Sequence, residues 1–239
     1  PAFLMAADIP LPERVYGHGW ILSGEEKMSK SKGNILDPLE IINKYGLDPL
    51  RYYLIKEVSF GNDGNISQDK LEDCINSDLA NNYGNLCQRV ISFTEKNLKL
   101  SIPNKIVFND DDLKILNIFK NEHDNLIKYI DDQDINSYVN FIINQLFAAN
   151  KYFNDQEPWK KKADIERLNT IVYVALELIR KITIMLNPII PESSNKVLKA
   201  LNLNADKIKF DEIKTHEFLP QGTKINKLDI LFKKIDKND

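Results

Sequence analysis

Cysteine is scarce: only Cys74 and Cys87 occur in 239 residues, and they form no Cys-x-x-Cys pair. The three histidines, His18, His123 and His216, are scattered, so no spacing suited to a structural zinc or other metal site is present. A disulfide framework is excluded on the same grounds. A reducing, cytoplasmic setting is expected, with both thiols acting as small packing residues. Long apolar runs are missing too. None approaches the roughly 18–20 residues of a membrane span, so no membrane partner is expected. Residues 1–5 lack the basic start and cleavage pattern of a secretion signal, and the missing initiator methionine points to a piece of a longer protein. Nor is there an excess of positive charge, since 32 Lys and Arg face 35 Asp and Glu for a net charge of −3. A surface basic all over is therefore ruled out as a nucleic-acid footprint. Any RNA contact must rest on local clusters such as Lys27/Lys30/Lys32 and Lys160-Lys161-Lys162. Taken alone, each cluster also reads as an ordinary solvated face.

What is present is the composition of a globular protein, 43% hydrophobic and 28% charged, long enough to bury a core. The first part is broken by prolines and glycines, with residues 15–22 reading as a strand and Gly24-Glu25 as a turn. Asp37-Pro38 is an N-cap followed by proline at the first helical position, opening a helix that stops near Gly46; Asp48-Pro49 repeats the device. Apolar positions at helical spacing then predict a long helix over 67–96 and others over 111–130, 136–153, 164–186 and 192–201. Over 164–186 the apolar face is wide. The tail after Asn204 is weakly patterned, with 219–235 expected to return as extended chain over another surface. The expected fold is mainly α: a small α/β remnant, a short connector and an antiparallel α-helix bundle.

Lys27-Met28-Ser29-Lys30-Ser31-Lys32-Gly33-Asn34 packs three ammonium groups, two hydroxyls and a glycine into eight residues without apolar periodicity. Lysines supply point charges, hydroxyls and backbone N–H groups donate to phosphate oxygens, and Gly33 permits close approach, so the segment reads as an anion-binding loop. On the long predicted helix, Asn81, Asn85 and Arg89 recur every four residues and share a polar stripe. Such donors can bond the Watson–Crick edge of an unstacked base, or they can simply face water. Trp159 follows Pro158 at the end of a predicted helix and precedes Lys160-Lys161-Lys162. It suits a stacking platform beside phosphate-neutralising charge, and equally a tryptophan buried between helices.

The order of these residues resembles the methionyl-tRNA synthetase family of class I aminoacyl-tRNA synthetases. Lys-Met-Ser-Lys-Ser at 27–31 is the second class I signature. It follows Gly17-His18-Gly19-Trp20 and precedes Lys44-Tyr45-Gly46-Leu47-Asp48 and Arg51-Tyr52-Tyr53-Leu54, as in that family. The resemblance implies the end of a Rossmann-type catalytic domain with its lysine loop (1–66), a helical anticodon-binding domain (67–204) and a tail (205–239). It implies ATP, with Mg2+ accompanying it, and methionine as substrates, and tRNA(Met), initiator tRNA included, as partner. Lys30 and Lys27 carry catalysis in this reading, and Lys27, Met28, Ser29, Lys30 and Ser31 bind ATP. Asn85, Arg89 and Trp159, with Asn81 as helper, read the anticodon. The family's other signature, the HIGH-type motif, is nowhere in the chain, and most of the amino-acid pocket is missing with it, so this piece alone is not expected to charge tRNA. Another class I enzyme, for leucine, isoleucine, valine or cysteine, is the first rival, against which the Asn85/Arg89/Trp159 set argues. A non-catalytic tRNA-binding helical module is the second. Such a module has no need of a lysine loop directly after a nucleotide-fold strand.

Overall fold

A computed structural model of the chain describes residues 1–23, 26–27, 36–59 and 61–236, with backbone alone at 26–27. It is mostly helical. After a short helix α1 (Ala2–Ala6) come β1 (Ile21–Ser23) and β2 (Glu26–Lys27), then α2 (Pro38–Tyr45), α3 (Leu47–Glu57) and β3 (Gly64–Asn65). β1 is central in the small sheet. It pairs antiparallel with β2, Leu22 opposite Lys27, and parallel with β3, Ile21 opposite Gly64. The strand expected over 15–22 is therefore displaced to Ile21–Ser23. β3 is only two residues long, and pairing rather than side-chain alternation decides where a ladder runs. Gly19 permits the close approach of the 61–64 turn, because a Cβ there would lie 2.1 Å from the Asn62 carbonyl oxygen.

α2 starts as its sequence requires, with the Asp37 carboxylate accepting from the Leu39 N–H at 2.8 Å and Gly46 ending it at φ 93°. The repeat of this device at Asp48-Pro49 is corrected by the structure. α3 begins at Leu47, and the buried Asp48 side chain serves a different helix, described below.

The long helix expected over 67–96 runs from Gln68 to Leu98 as α4 (Gln68–Cys74), a wide-turn π segment (Ile75–Gly84) and α5 (Asn85–Leu98). Within the π segment three polar side chains reach three different neighbours. Asp78 accepts from Tyr52 Oη (3.0 Å) and pairs with Lys56 (2.8 Å), Asn82 Oδ1 accepts from Asn150 (2.7 Å), and Tyr83 bonds Thr183 (2.9 Å). The helix expected over 111–130 is divided into α6 (Asp110–Asn121) and α7 (His123–Asp131). No proline or glycine causes the break. His123 is buried with its ring 5.4 Å from that of Phe210 and its Nε2 2.8 Å from Asp211, so the later 3-10 turn Phe210–Lys214 turns α7 toward itself.

α8 (Ile135–Gln156), a 3-10 turn (Pro158–Lys160), α9 (Ile165–Leu186) and α10 (Pro191–Ala200) complete the helices. α9 is the axis of the core, packed against α5, α6, α8 and α10. Its wide apolar face was legible in the sequence. Its opposite face is buried as well, because the tail closes over it. Glu177 accepts from the Phe218 and Leu219 N–H groups (2.9 and 2.7 Å), Arg180 donates to the Glu212 and Thr215 carbonyls, and Lys181 to Thr215 O at 2.6 Å. Beyond this, the chain runs back along α5, and Asn76 pairs with both backbone groups of Ile235 at 2.8 Å.

Candidate nucleic-acid interface

Arg89 lies on α5, and helical spacing puts Ser92, Phe93 and Lys96 on its side of the helix in the following turns. Across from them α8 ends. Glu157 adopts a left-handed conformation (φ 44°, ψ 57°), which terminates the helix and swings Pro158 and Trp159 into the 3-10 turn. Lys160 pairs with Glu157 at 2.7 Å across this turn. Arg89, Ser92, Phe93, Lys96, Phe153 and Trp159 enclose an open cleft of about 300 Å³.

Three rings form its floor and wall. Phe153, buried, meets Phe93 edge-on at 5.9 Å and Trp159 edge-on at 6.2 Å. Trp159 remains 41% exposed, so one indole surface is open to a ligand. The Arg89 guanidinium sits 5.6 Å from the Phe153 ring centre and donates from Nη2 to Asn154 Oδ1 at 2.6 Å. A cation held at the edge of an aromatic floor is a suitable receptor for a planar, hydrogen-bonding group such as a nucleobase.

Behind the cleft lies a buried ionic ring. Asp112 is fully buried, caps α6 by accepting from the Asn109 N–H (3.0 Å), and accepts from Tyr152 Oη (2.6 Å) and from both Arg167 terminal nitrogens (2.5 and 3.0 Å). Burial alone would raise the Asp112 pKa, but the donors from Arg167, Tyr152 and Asn109 outweigh it and hold the carboxyl below its ordinary value of 3.8. Arg167 also donates to Gln156 Oε1 at 2.6 Å, tying the first turn of α9 to the residue before Glu157. The Trp159 turn is thus pinned from behind.

The structure brings Arg89 and Trp159, 70 positions apart, into one cleft. Asn85 is exposed one turn before Arg89. Asn81, four residues before Asn85 and inside the π segment, is exposed as well. Lys27 closes β2 by its backbone; its side chain and Met28, Ser29, Lys30 and Ser31 lie outside the described residues. Sequence reasoning missed Phe93, Lys96, Phe153 and Asn154. Extending the Arg89 register by four and seven residues finds Phe93 and Lys96. The pairing of Asn154 with Arg89 has no sequence signal. Among the described residues no three His, Cys, Asp or Glu side chains gather to hold a metal, and no helix is long and apolar enough to cross a membrane.

Residues 1–91 match the family model of class I tRNA synthetases (M). The chain is 42% identical over 214 residues to the methionine–tRNA ligase of Brucella suis, aligning 89% of this chain with 42% of that protein. It is 38% identical over 240 residues to that of Rickettsia conorii, aligning 99% with 47%. Among solved structures it is similar to Mycobacterium tuberculosis methionyl-tRNA synthetase in complex with methionyl-adenylate. The TM-score is 0.87 at 37% identity, covering 97% of this chain and 46% of that one. The chain thus spans a little under half the length of the curated relatives it matches. Residues 102–239, more than half of it, match the anticodon binding domain of methionyl tRNA ligase, and the chain belongs to that family.

Proposed function

We propose that the chain is part of a methionine–tRNA ligase, supplying the lysine loop for ATP-dependent formation of methionyl-adenylate and the cleft that reads the anticodon of tRNA(Met), initiator tRNA included. In this reading residues 1–66 end a Rossmann-type catalytic domain, 67–204 form an antiparallel helix bundle that binds the anticodon, and 205–239 are the tail. The protein works in the cytoplasm, where its buried thiols stay reduced. ATP arrives with Mg2+ as its counter-ion, and Lys27, Met28, Ser29, Lys30 and Ser31 receive its phosphates.

The observation that carries the proposal is the half-exposed Trp159 indole facing the same cleft as Arg89. The first anticodon base, cytosine in CAU, stacks on Trp159, while Arg89 and Asn85, with Asn81 as helper, donate to its edge. Lys96 and Lys160-Lys161-Lys162 neutralise flanking phosphates. Stacking of this kind contributes about 1–3 kcal/mol, so Trp159→Ala should weaken binding of a CAU anticodon stem-loop by about 10–100-fold in a fluorescence titration. Methionine-dependent pyrophosphate exchange should stay at the parent rate. Equal affinity of variant and parent, or indifference of the parent to replacing that cytosine, would end the anticodon assignment.

Asn154 holds Arg89 in place before RNA arrives. Asn154→Ala should therefore cost about 1 kcal/mol of stem-loop affinity, roughly fivefold, with the melting temperature unchanged because the bond is exposed. A variant indistinguishable from the parent in that titration would show that the bond does not preorganise the cleft.

A further inference from the structure

The connector helix α3 is fastened to the far end of α9 by a charged clasp. Asp48, buried in the first turn of α3, accepts from the Ser193 backbone N–H at 2.6 Å, in the first turn of α10. Arg51, three residues on and therefore on the same face, donates Nε–H to Ile189 O (2.8 Å) and Nη2–H to Pro188 O (2.7 Å). One face of α3 thus supplies an anion to an N–H group opening α10 and a cation to two carbonyls of the turn after α9, each matched to the local peptide dipoles.

Burying Asp48 opposes this arrangement energetically, more so because its Oδ1 accepts no hydrogen bond from the described residues. Two apolar faces would dock these helices without that cost. What charged, directional contacts add at two points is a defined angle. Their location gives the angle a consequence. α9 is 22 residues, about 33 Å, long. Arg167 on its first turn pins the Trp159 turn, and its last turn runs into the clasp. α3 follows α2 and the lysine loop directly in the chain.

We propose that Asp48 and Arg51 are positioning residues that set the orientation of the adenylate-forming part relative to the anticodon cleft, so that a tRNA held by its anticodon presents its acceptor end to the adenylate. This rests on the function proposed above. Neither residue touches a substrate; both act through the rod formed by α9. A clasp of this kind predicts a split between two half-reactions that general loosening of the fold would not produce.

The test uses the full-length enzyme and measures three quantities separately: pyrophosphate exchange without tRNA, single-turnover transfer from methionyl-adenylate to tRNA(Met), and stem-loop affinity. Arg51→Ala and Asp48→Ala should each slow transfer by about tenfold or more, as misplacement of reacting groups does. Exchange and stem-loop affinity should remain near the parent values. Asp48→Asn keeps an acceptor oxygen for the Ser193 N–H and should retain most of the transfer rate. If Asp48→Ala fails to fold, Arg51→Ala and Asp48→Asn still decide the matter. Equal losses in exchange and transfer, unchanged transfer in Arg51→Ala, or an Asp48→Asn variant as slow in transfer as Arg51→Ala would overturn the proposal. Absence of exchange in the unmodified enzyme is a different result, because it removes the ligase reading itself.

Discussion

Replacing Arg167 by alanine is expected to remove about 3 kcal/mol of folding stability, the low end of the roughly 3–5 kcal/mol range for breaking a buried ion pair, because Arg167 keeps some contact with water. The loss comes less from the missing contact than from what is left behind. Asp112 has no exposure to solvent, and without the guanidinium only Tyr152 and the Asn109 N–H compensate its charge. A urea titration should show the midpoint falling by roughly 1–2 M. The pH dependence gives a sharper check. In the parent the Asp112 pKa is lowered, so its stabilising contribution is complete above the ordinary carboxyl value of 3.8 and is lost as pH falls through the still lower folded value. In Arg167→Ala burial dominates, the folded pKa rises, and acid protonates the carboxyl to the variant's benefit. The gap between the two proteins should therefore be widest at neutral pH and narrow below about pH 4. A gap that stays constant across this range would mean that Arg167 acts by packing alone. Loosening the ring also frees the residue before Glu157, so stem-loop affinity should fall along with stability.

Lys30→Ala in the full-length enzyme should slow methionine-dependent pyrophosphate exchange by about two orders of magnitude, equivalent to roughly 3 kcal/mol of activation free energy. In the proposed reaction the methionine carboxylate attacks the α-phosphate of ATP, the bond to pyrophosphate breaks, and negative charge grows on the bridging oxygen and the departing group. An ammonium that meets this charge only as it develops stabilises the transition state more than the ground state, so the loss belongs in kcat rather than in KM for ATP. In the chain the lysine segment follows β2, which is paired to β1 in a defined register, and precedes α2, which opens with the Asp37 cap. Lys30→Arg, which keeps the charge but not the point geometry, should recover part of the rate. Normal exchange in Lys30→Ala would remove Lys30 from the reaction.

Much of the helical layout was legible because apolar residues recur at helical spacing, and several of the helices also start at a side-chain cap. Asp37-Pro38, Asn109, Asp134 and Asp164 all act as side-chain caps, and the ends of α2, α8, α9 and α10 fall within a few residues of those expected. The failures share one feature, that the deciding partner is distant in the chain. Asp48 reads locally as a cap for its own helix, yet the group it satisfies, the Ser193 N–H, is 145 residues away. The 111–130 pattern is periodic throughout, yet the helix breaks at Glu122, beside His123, whose buried ring packs against Phe210 some 87 residues on. The strand expected over 15–22 fails because its ladder ends where a two-residue partner ends.

The cleft divides along the same line. That Arg89 and Trp159 were worth singling out followed from the stripe on one helix and the Pro-Trp turn after another, since periodicity and turn chemistry are local properties of a chain. That they meet over Phe153, with Asn154 holding the guanidinium, was decided by tertiary structure. The same is true of the polar side of α9. Its sequence contains Glu177, Arg180 and Lys181, which by themselves call for solvent, and only the tail folding over them supplies the carbonyls and N–H groups that let them be buried. Local periodicity specifies which face of a helix is apolar. It cannot specify which distant backbone groups will satisfy a buried charge, because that depends on where the rest of the chain comes to lie.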